Sequence, residues 1–209
     1  GFSKIGNIAG KALTGVTAVV GTVATGLAAA ATAAVNFGTE YQKASNKIMV
    51  ATGSNMYEME ELNEVLKNVY ANNFGESMDD VANAISTITQ QVKNLDPENL
   101  QTLTEYAIGL RDAFGYDVSE SIRSAKALMD NFGVSGEEAY SLIAQGAQKG
   151  LDYSGEFLDN INEYSVQFGK LGLSAEDMFN IFASGAESGA FNLDKIGDAV
   201  KEFSIRAID

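Results

Sequence analysis

The sequence predicts an all-α protein: one long apolar helix, coiled-coil or transmembrane-like, leading into a bundle or solenoid of about eight short antiparallel helices. Three observations carry this. From Ala12 to Thr39 the chain runs twenty-eight residues without a charge. Beyond Ser54 no stretch alternates apolar and polar residues over a useful length, and there is a single proline, so strands have little to build on. A helix-starting pattern also recurs through the later chain: an apolar residue, a glycine, a spacer, a serine, then acids.

The uncharged run comes first. As one helix it would reach about 42 Å, more than the roughly 30 Å of a bilayer's hydrocarbon, so it is long enough to span. Ala, Gly and Thr dominate it, which makes insertion marginal. Its larger residues are spaced in a heptad pattern: Leu13, Val16, Val20, Val23 and Leu27 step by three and four in alternation. The register extends through Ala30, Ala34, Phe37, Tyr41, Ala44 and Ile48, and backward to Phe2, Gly6 and Ala9, without a charged residue in the seam. A stripe sustained that far predicts one helix over residues 1–52 that meets copies of itself or a partner. Small residues, including the Gly6 and Gly10 pair, would let the backbones approach. The chain opens on Gly1, and the apolar run is too long for a signal peptide, so a piece of something longer is expected.

Charge divides the chain at the same place. Residues 1–39 carry Lys4 and Lys11 and no acid, whereas residues 40–209 hold 12 basic and 28 acidic residues, net −16. Two domains are therefore expected, 1–52 for self-association and a possible membrane span, and 53–209 as an acidic helical body. Such a body is repelled by phosphate backbones, so no direct nucleic-acid binding is expected. No Cys and no His occur, which removes disulfides, thiolate nucleophiles, imidazole bases and the usual zinc ligands.

Thr52-Gly53-Ser54 should end the long helix. Then come Phe74-Gly-Glu-Ser77, Phe132-Gly-Val-Ser135 and Leu171-Gly-Leu-Ser174, each followed by acids. In each, the glycine ends one helix left-handed and the serine caps the next, with the acids in the positive first turn. Asp96-Pro97 is a different start, with Asp96 as cap and proline at the first helical position. The predicted helices lie near 55–73, 77–94, 97–114, 117–132, 135–149, 154–170, 174–188 and 192–208. Apolar faces follow: Val81, Ala84, Ile85 and Ile88; Leu100, Leu103, Ala107 and Leu110; Leu158, Ile161 and Phe168. Tyr70, Phe114, Phe132, Tyr140, Phe168 and Phe182 are read as core. Start motifs 39 or 40 residues apart suggest a helix-pair repeat, but side chains outside the turns correspond poorly, so solenoid and compact bundle both stay open.

No catalytic pattern emerges. Adjacent carboxylates such as Asp79 and Asp80 point apart on a helix, Asp112 to Glu120 does not make a calcium loop, and the phosphate-loop, dinucleotide and nucleophile-elbow motifs are absent. Neither enzyme activity nor a cofactor or metal is expected.

A Gly/Ala-rich helix leads into Phe37-Gly-Thr-Glu-Tyr41-Gln-Lys-Ala and then Met49-Val-Ala-Thr-Gly53-Ser-Asn-Met-Tyr-Glu-Met-Glu-Glu-Leu62, followed by helices opening Gly-x-Ser-x-Glu-Glu. This resembles the core region of tailed-phage tape measure proteins. The resemblance implies a minor tail protein packed as parallel copies, of unspecified number, along the tail lumen. Its length would set tail length during assembly, and it would leave ahead of the genome and assist passage through the host membrane. Partners would be tail-tube and tail-tip or baseplate proteins, with contractile, non-contractile and bacteriocin-like tails all open. The alternative is a secreted, pore-forming toxin-like protein whose apolar helix is shielded until release.

Overall fold

The computed structural model describes residues 27–208. Among them are nine helices and no strand: α1 Leu27–Thr52, α2 Met56–Ala71, α3 Met78–Gln91, α4 Pro97–Phe114, α5 Val118–Phe132, α6 Gly136–Gln148, α7 Phe157–Lys170, α8 Ala175–Glu187 and α9 Leu193–Ile208. Seven of the eight predicted short helices begin within a residue of expectation. The exception is α7, expected from Ser154: the first backbone N–H of α7, at Phe157, donates to Asp152 Oδ1 at 3.1 Å, so the cap comes from five residues upstream.

The caps explain the accuracy elsewhere. Ser77, Ser135 and Ser174 accept from the backbone N–H of Asp80, Glu138 and Asp177, each at 3.1 Å, and Asp96 accepts from Asn99 at 2.8 Å. Ser135 with Glu138 and Ser174 with Asp177 close reciprocal capping boxes. Asn55 with Glu58 forms another that the sequence reading passed over. Gly75, Gly133 and Gly172 take the left-handed conformation predicted for them, with φ of 84°, 68° and 72°.

Two compact units divide the described residues, 27–109 and 110–208, with the boundary inside α4. In the first, α1 packs on α3 as well as on α2, its sequence neighbour. Lys47 pairs with Asp79 at 2.7 Å, and Gln90 donates to the Ala51 carbonyl at 2.7 Å. Asn68 and Asn72 of α2 donate to Gln101 and Glu105 of α4 at 3.2 and 2.8 Å. The second unit repeats the arrangement: α5 lies on α7, α7 on α9, and α6 on α8. Ser124 donates to the Leu158 carbonyl at 2.9 Å, and Asn131 to Ser165 Oγ at 2.9 Å. Helices α1, α5, α6 and α7 are thus each covered by the one two places on. Within each unit this is solenoid-type stacking in two layers, rather than a bundle of successive antiparallel neighbours.

All eleven apolar residues predicted to line helix faces are buried. Of the six aromatics read as core, Tyr140, Phe168 and Phe182 are fully buried, while Tyr70, Phe114 and Phe132 are half-buried. Phe157 meets Phe179 edge-on with centroids 5.9 Å apart, and Phe168 meets Phe182 at 5.6 Å. Each such side chain contributes about 1.5–3 kcal/mol through burial.

The transmembrane-like expectation changes. Among the described residues no helix is long and apolar enough to cross a membrane. The reason for α1 is visible in its sequence, where Glu40, Lys43 and Lys47 enter within its second half. Residues Ala12–Gly26 of the uncharged run lie outside the described residues.

Ser135→Ala and Ser174→Ala should each cost about 1 kcal/mol, read as a drop in the chemical-denaturation midpoint. Backbone and side-chain hydrogen bonds from Ser174 hold the Asp177 carboxyl below its ordinary value of 3.8. A depressed value means the box stabilises fully above that range and is lost as pH falls through it. Asp177→Asn should therefore lose stability at neutral pH and show a shallower decline into acid than the unsubstituted protein.

Candidate functional site

The sequence-predicted site residues are not brought together. Gly6, Gly10, Leu13, Val16, Val20 and Val23 lie outside the described residues; Leu27, Ala30 and Ala34 fall on α1. Phe37 is 51% exposed and Tyr41 half-buried, but Ala44 and Ile48, which continue the same register, are fully buried inside the first unit, where α1 meets α3. An Ala-rich helix fits several partners, and here its C-terminal third is taken by its own chain. The caps Ser77, Asp96, Ser135 and Ser174 stand at four separate helix starts. Among the described residues no three potential ligand side chains converge on a metal position.

One concave feature among the described residues is one that sequence reading missed. In the second unit, Ile196, Ala199, Val200 and Phe203 of α9, with Ile181 of α8 and Leu171 and Leu173 of the preceding turn, line an open apolar groove of about 460 Å³. Its origin is an internal repeat of 39 residues. Laying α6 on α8 at that offset matches Tyr140 with Phe179, Leu142 with Ile181, Ile143 with Phe182, and Gly146 with Gly185. Laying α7 on α9 matches Phe157 with Ile196, Ile161 with Val200, Tyr164 with Phe203, and Ser165 with Ser204. Contacts repeat with the residues. A Cβ on Gly146 would overlap the Phe157 ring, and one on Gly185 would overlap the Ile196 side chain, in the equivalent place.

Burial does not repeat. Tyr164 is 1% exposed, because α9 lies over it: its ring faces Gly197, and its hydroxyl donates to Asp194 at 2.7 Å and Asp198 at 3.0 Å. Phe203, the equivalent residue, is 64% exposed. Phe157, Ile161 and Leu142 are likewise buried, while Ile196, Val200 and Ile181 are only half-covered. The groove is the face of α9 equivalent to the face that α7 turns to α9, and among the described residues it is open. Burial, with the two carboxylates behind it, holds the Tyr164 phenol far above its ordinary 10.0.

Comparison with known sequences bears on these same helices. The sequence model of the phage-related minor tail protein family matches residues 68–208, from the last turn of α2 to the end of α9. The chain belongs to that family. No curated protein and no solved structure matched it. Membership places this minor tail protein in the phage tail, as a structural component among other tail proteins. The matched residues exclude Phe37–Leu62, the junction on which the tape measure resemblance mainly rested; they cover the stacked helices instead.

Gly197→Ala gains about 1 kcal/mol of helix propensity but drives a methyl into a buried ring held by two carboxylates, at a cost of about 1–3 kcal/mol. It should be net destabilising. Gly185→Ala meets the tip of Ile196, which can turn into the open groove, so it should be neutral or stabilising in the same melts. For Tyr164 the raised phenol value means its contribution is complete below pH 10.0 and lost as pH rises beyond it. The stability gap between the unsubstituted protein and Tyr164→Phe should narrow from neutral pH to about pH 11.

Proposed function

We propose that this minor tail protein is a tape measure component. Parallel copies associate in the tail lumen through the uncharged seam of Leu13, Val16, Val20, Val23 and Leu27, continued by Ala30, Ala34, Phe37 and Tyr41. The length of that helix contributes to tail length during assembly, against tail-tube and tail-tip or baseplate proteins. At ejection the Ala12–Phe37 segment engages the host membrane and assists genome passage.

The observation that carries this reading is the exposed stretch of α1. Residues 37–40 are all exposed, with Phe37 an aromatic in the seam register, and they continue directly into the uncharged run. In a family of phage tail proteins, an apolar helix edge left uncovered by its own chain is a natural surface for other copies. Ala44 and Ile48 are buried within the first unit, where α1 packs mainly on α3, so the proposed seam ends near Tyr41. The acidic body would not adhere to departing DNA, since residues 40–209 carry net −16.

Val16→Asp with Val23→Asp should lower the oligomeric mass of the full chain and abolish tail assembly; unchanged mass and normal tails would sink the seam. Deleting Leu13–Gly26 removes two heptads, equivalent to about 21 Å of helix. Tails assembled on that variant should be shorter by a comparable amount in electron micrographs, and tails of unaltered length would count against length-setting by this helix.

A further inference from the structure

We propose that the edge of the second unit where α5, α7 and α9 begin binds a proline-rich, basic segment of another tail protein, held as a polyproline II helix along the row Phe114, Tyr153 and Phe191. Short connections reverse the chain from helix to helix, so the turns that lead into α5, α7 and α9 share one edge. Each turn carries one of these aromatics, 39 and 38 residues apart. Tyrosines tie each turn to the next: the Tyr116 hydroxyl lies against the Asp152 carboxylate, and the Tyr153 hydroxyl donates to the Ala190 carbonyl at 3.1 Å. Phe114 stacks on Tyr116 with centroids 5.9 Å apart. These ties fix the turns relative to one another. Turns of the stack flank Tyr153 on both sides, and its side chain is still 46% exposed; Phe191, next to Ala190, is 87% exposed.

Spacing selects the conformation of the segment. Packed helices lie about 8–10 Å apart, which sets the step from one turn of this edge to the next. A polyproline II helix repeats every three residues, about 9.3 Å, so a proline at every third position meets one ring after another. A helical turn of about 5.4 Å and the roughly 6.8 Å same-face spacing of a strand fall out of step. Charge selects a basic segment. Residues 111–120, 149–156 and 187–195, which form the three turns, hold seven acids and three bases, and Glu156 stands exposed beside the row. The single proline of residues 1–209, Pro97, opens α4, so these residues do not supply the segment themselves. Family membership gives the setting, a chain that lies among other tail proteins. The inference does not depend on the tape measure reading.

The probe is a fluorescently labelled peptide of four Pro-Pro-Arg repeats, titrated with the full chain and read by anisotropy. It should bind about tenfold more tightly than Gly-Gly-Arg or Pro-Pro-Glu repeats of the same length, which remove the polyproline conformation and the positive charge respectively. Tyr153→Ser and Phe191→Ser should each weaken binding about tenfold, and Glu156→Gln several-fold. Tyr153→Phe keeps the ring and should bind as the unsubstituted protein does. Phe191 and Glu156 are exposed, so unchanged melting of their variants separates lost binding from lost folding. Equal binding of Gly-Gly-Arg repeats would mean that charge alone is read, and full affinity in Tyr153→Ser and Phe191→Ser would mean that the row is not the site; either result overturns the proposal. So does an absence of binding, or capture on the same row of a β-1,4-linked N-acetylglucosamine oligomer in place of the peptide, since a glycan strand also offers flat faces at intervals along its length.

Discussion

Cover from two places along the chain is the constraint from which the rest of this structure follows. Helices α2 to α9 are 13 to 18 residues long, near the length below which an isolated helix is marginal in water. A sequence neighbour joined by a tight turn covers part of an apolar stripe, and the helix two places on covers much of what remains. The polar ties across those pairs, such as Ser124 to the Leu158 carbonyl and Asn131 to Ser165, fix register where apolar packing alone would allow sliding. Buried hydroxyls at Ser124 and Ser165 have a place because the facing helix supplies their partners.

Close approach makes that cover possible. Gly146 and Gly197 cost helix propensity, and each makes room for a ring, Phe157 and Tyr164 respectively. Tyr164 then carries both kinds of interaction at once, its ring on the Gly197 backbone and its hydroxyl between Asp194 and Asp198. Phe203 occupies the same repeat position with neither, and it is largely exposed.

Local chemistry made the helix boundaries legible. Ser77, Ser135 and Ser174 with their acids and left-handed glycines are short-range instructions, and a sequence displays them in full. The stacking was less visible, because the 39-residue correspondence lives in shape rather than identity: Tyr140 for Phe179, Leu142 for Ile181, Tyr164 for Phe203. At the surface and in α5 that correspondence fades, so an eye set on identities sees only the turns. The seam illustrates the opposite failure. Its register runs unbroken through Ala44 and Ile48, yet periodicity cannot say whether the partner is another copy or the chain itself, and those two residues are buried within their own unit. The groove could have been found by asking which residues of α8 and α9 are equivalent to the buried faces of α6 and α7.

The two kinds of architecture differ in how far they carry length. Thirty-nine residues in one continuous helix advance about 58 Å, whereas one helix pair in a two-layer stack advances only about one interaxial distance, 8–10 Å. Under the proposed tape measure role, a stack therefore converts sequence into length several-fold less efficiently than the α1 region does. Its buried aromatics and paired carboxylates would have to be exposed before it could extend. On that proposal length-setting falls to the uncharged run that leads into α1, while the family-matched helices stay folded. Insertions in the two regions are accordingly unequal: one heptad in the seam is worth more length than a quarter of a helix-pair repeat in the stack.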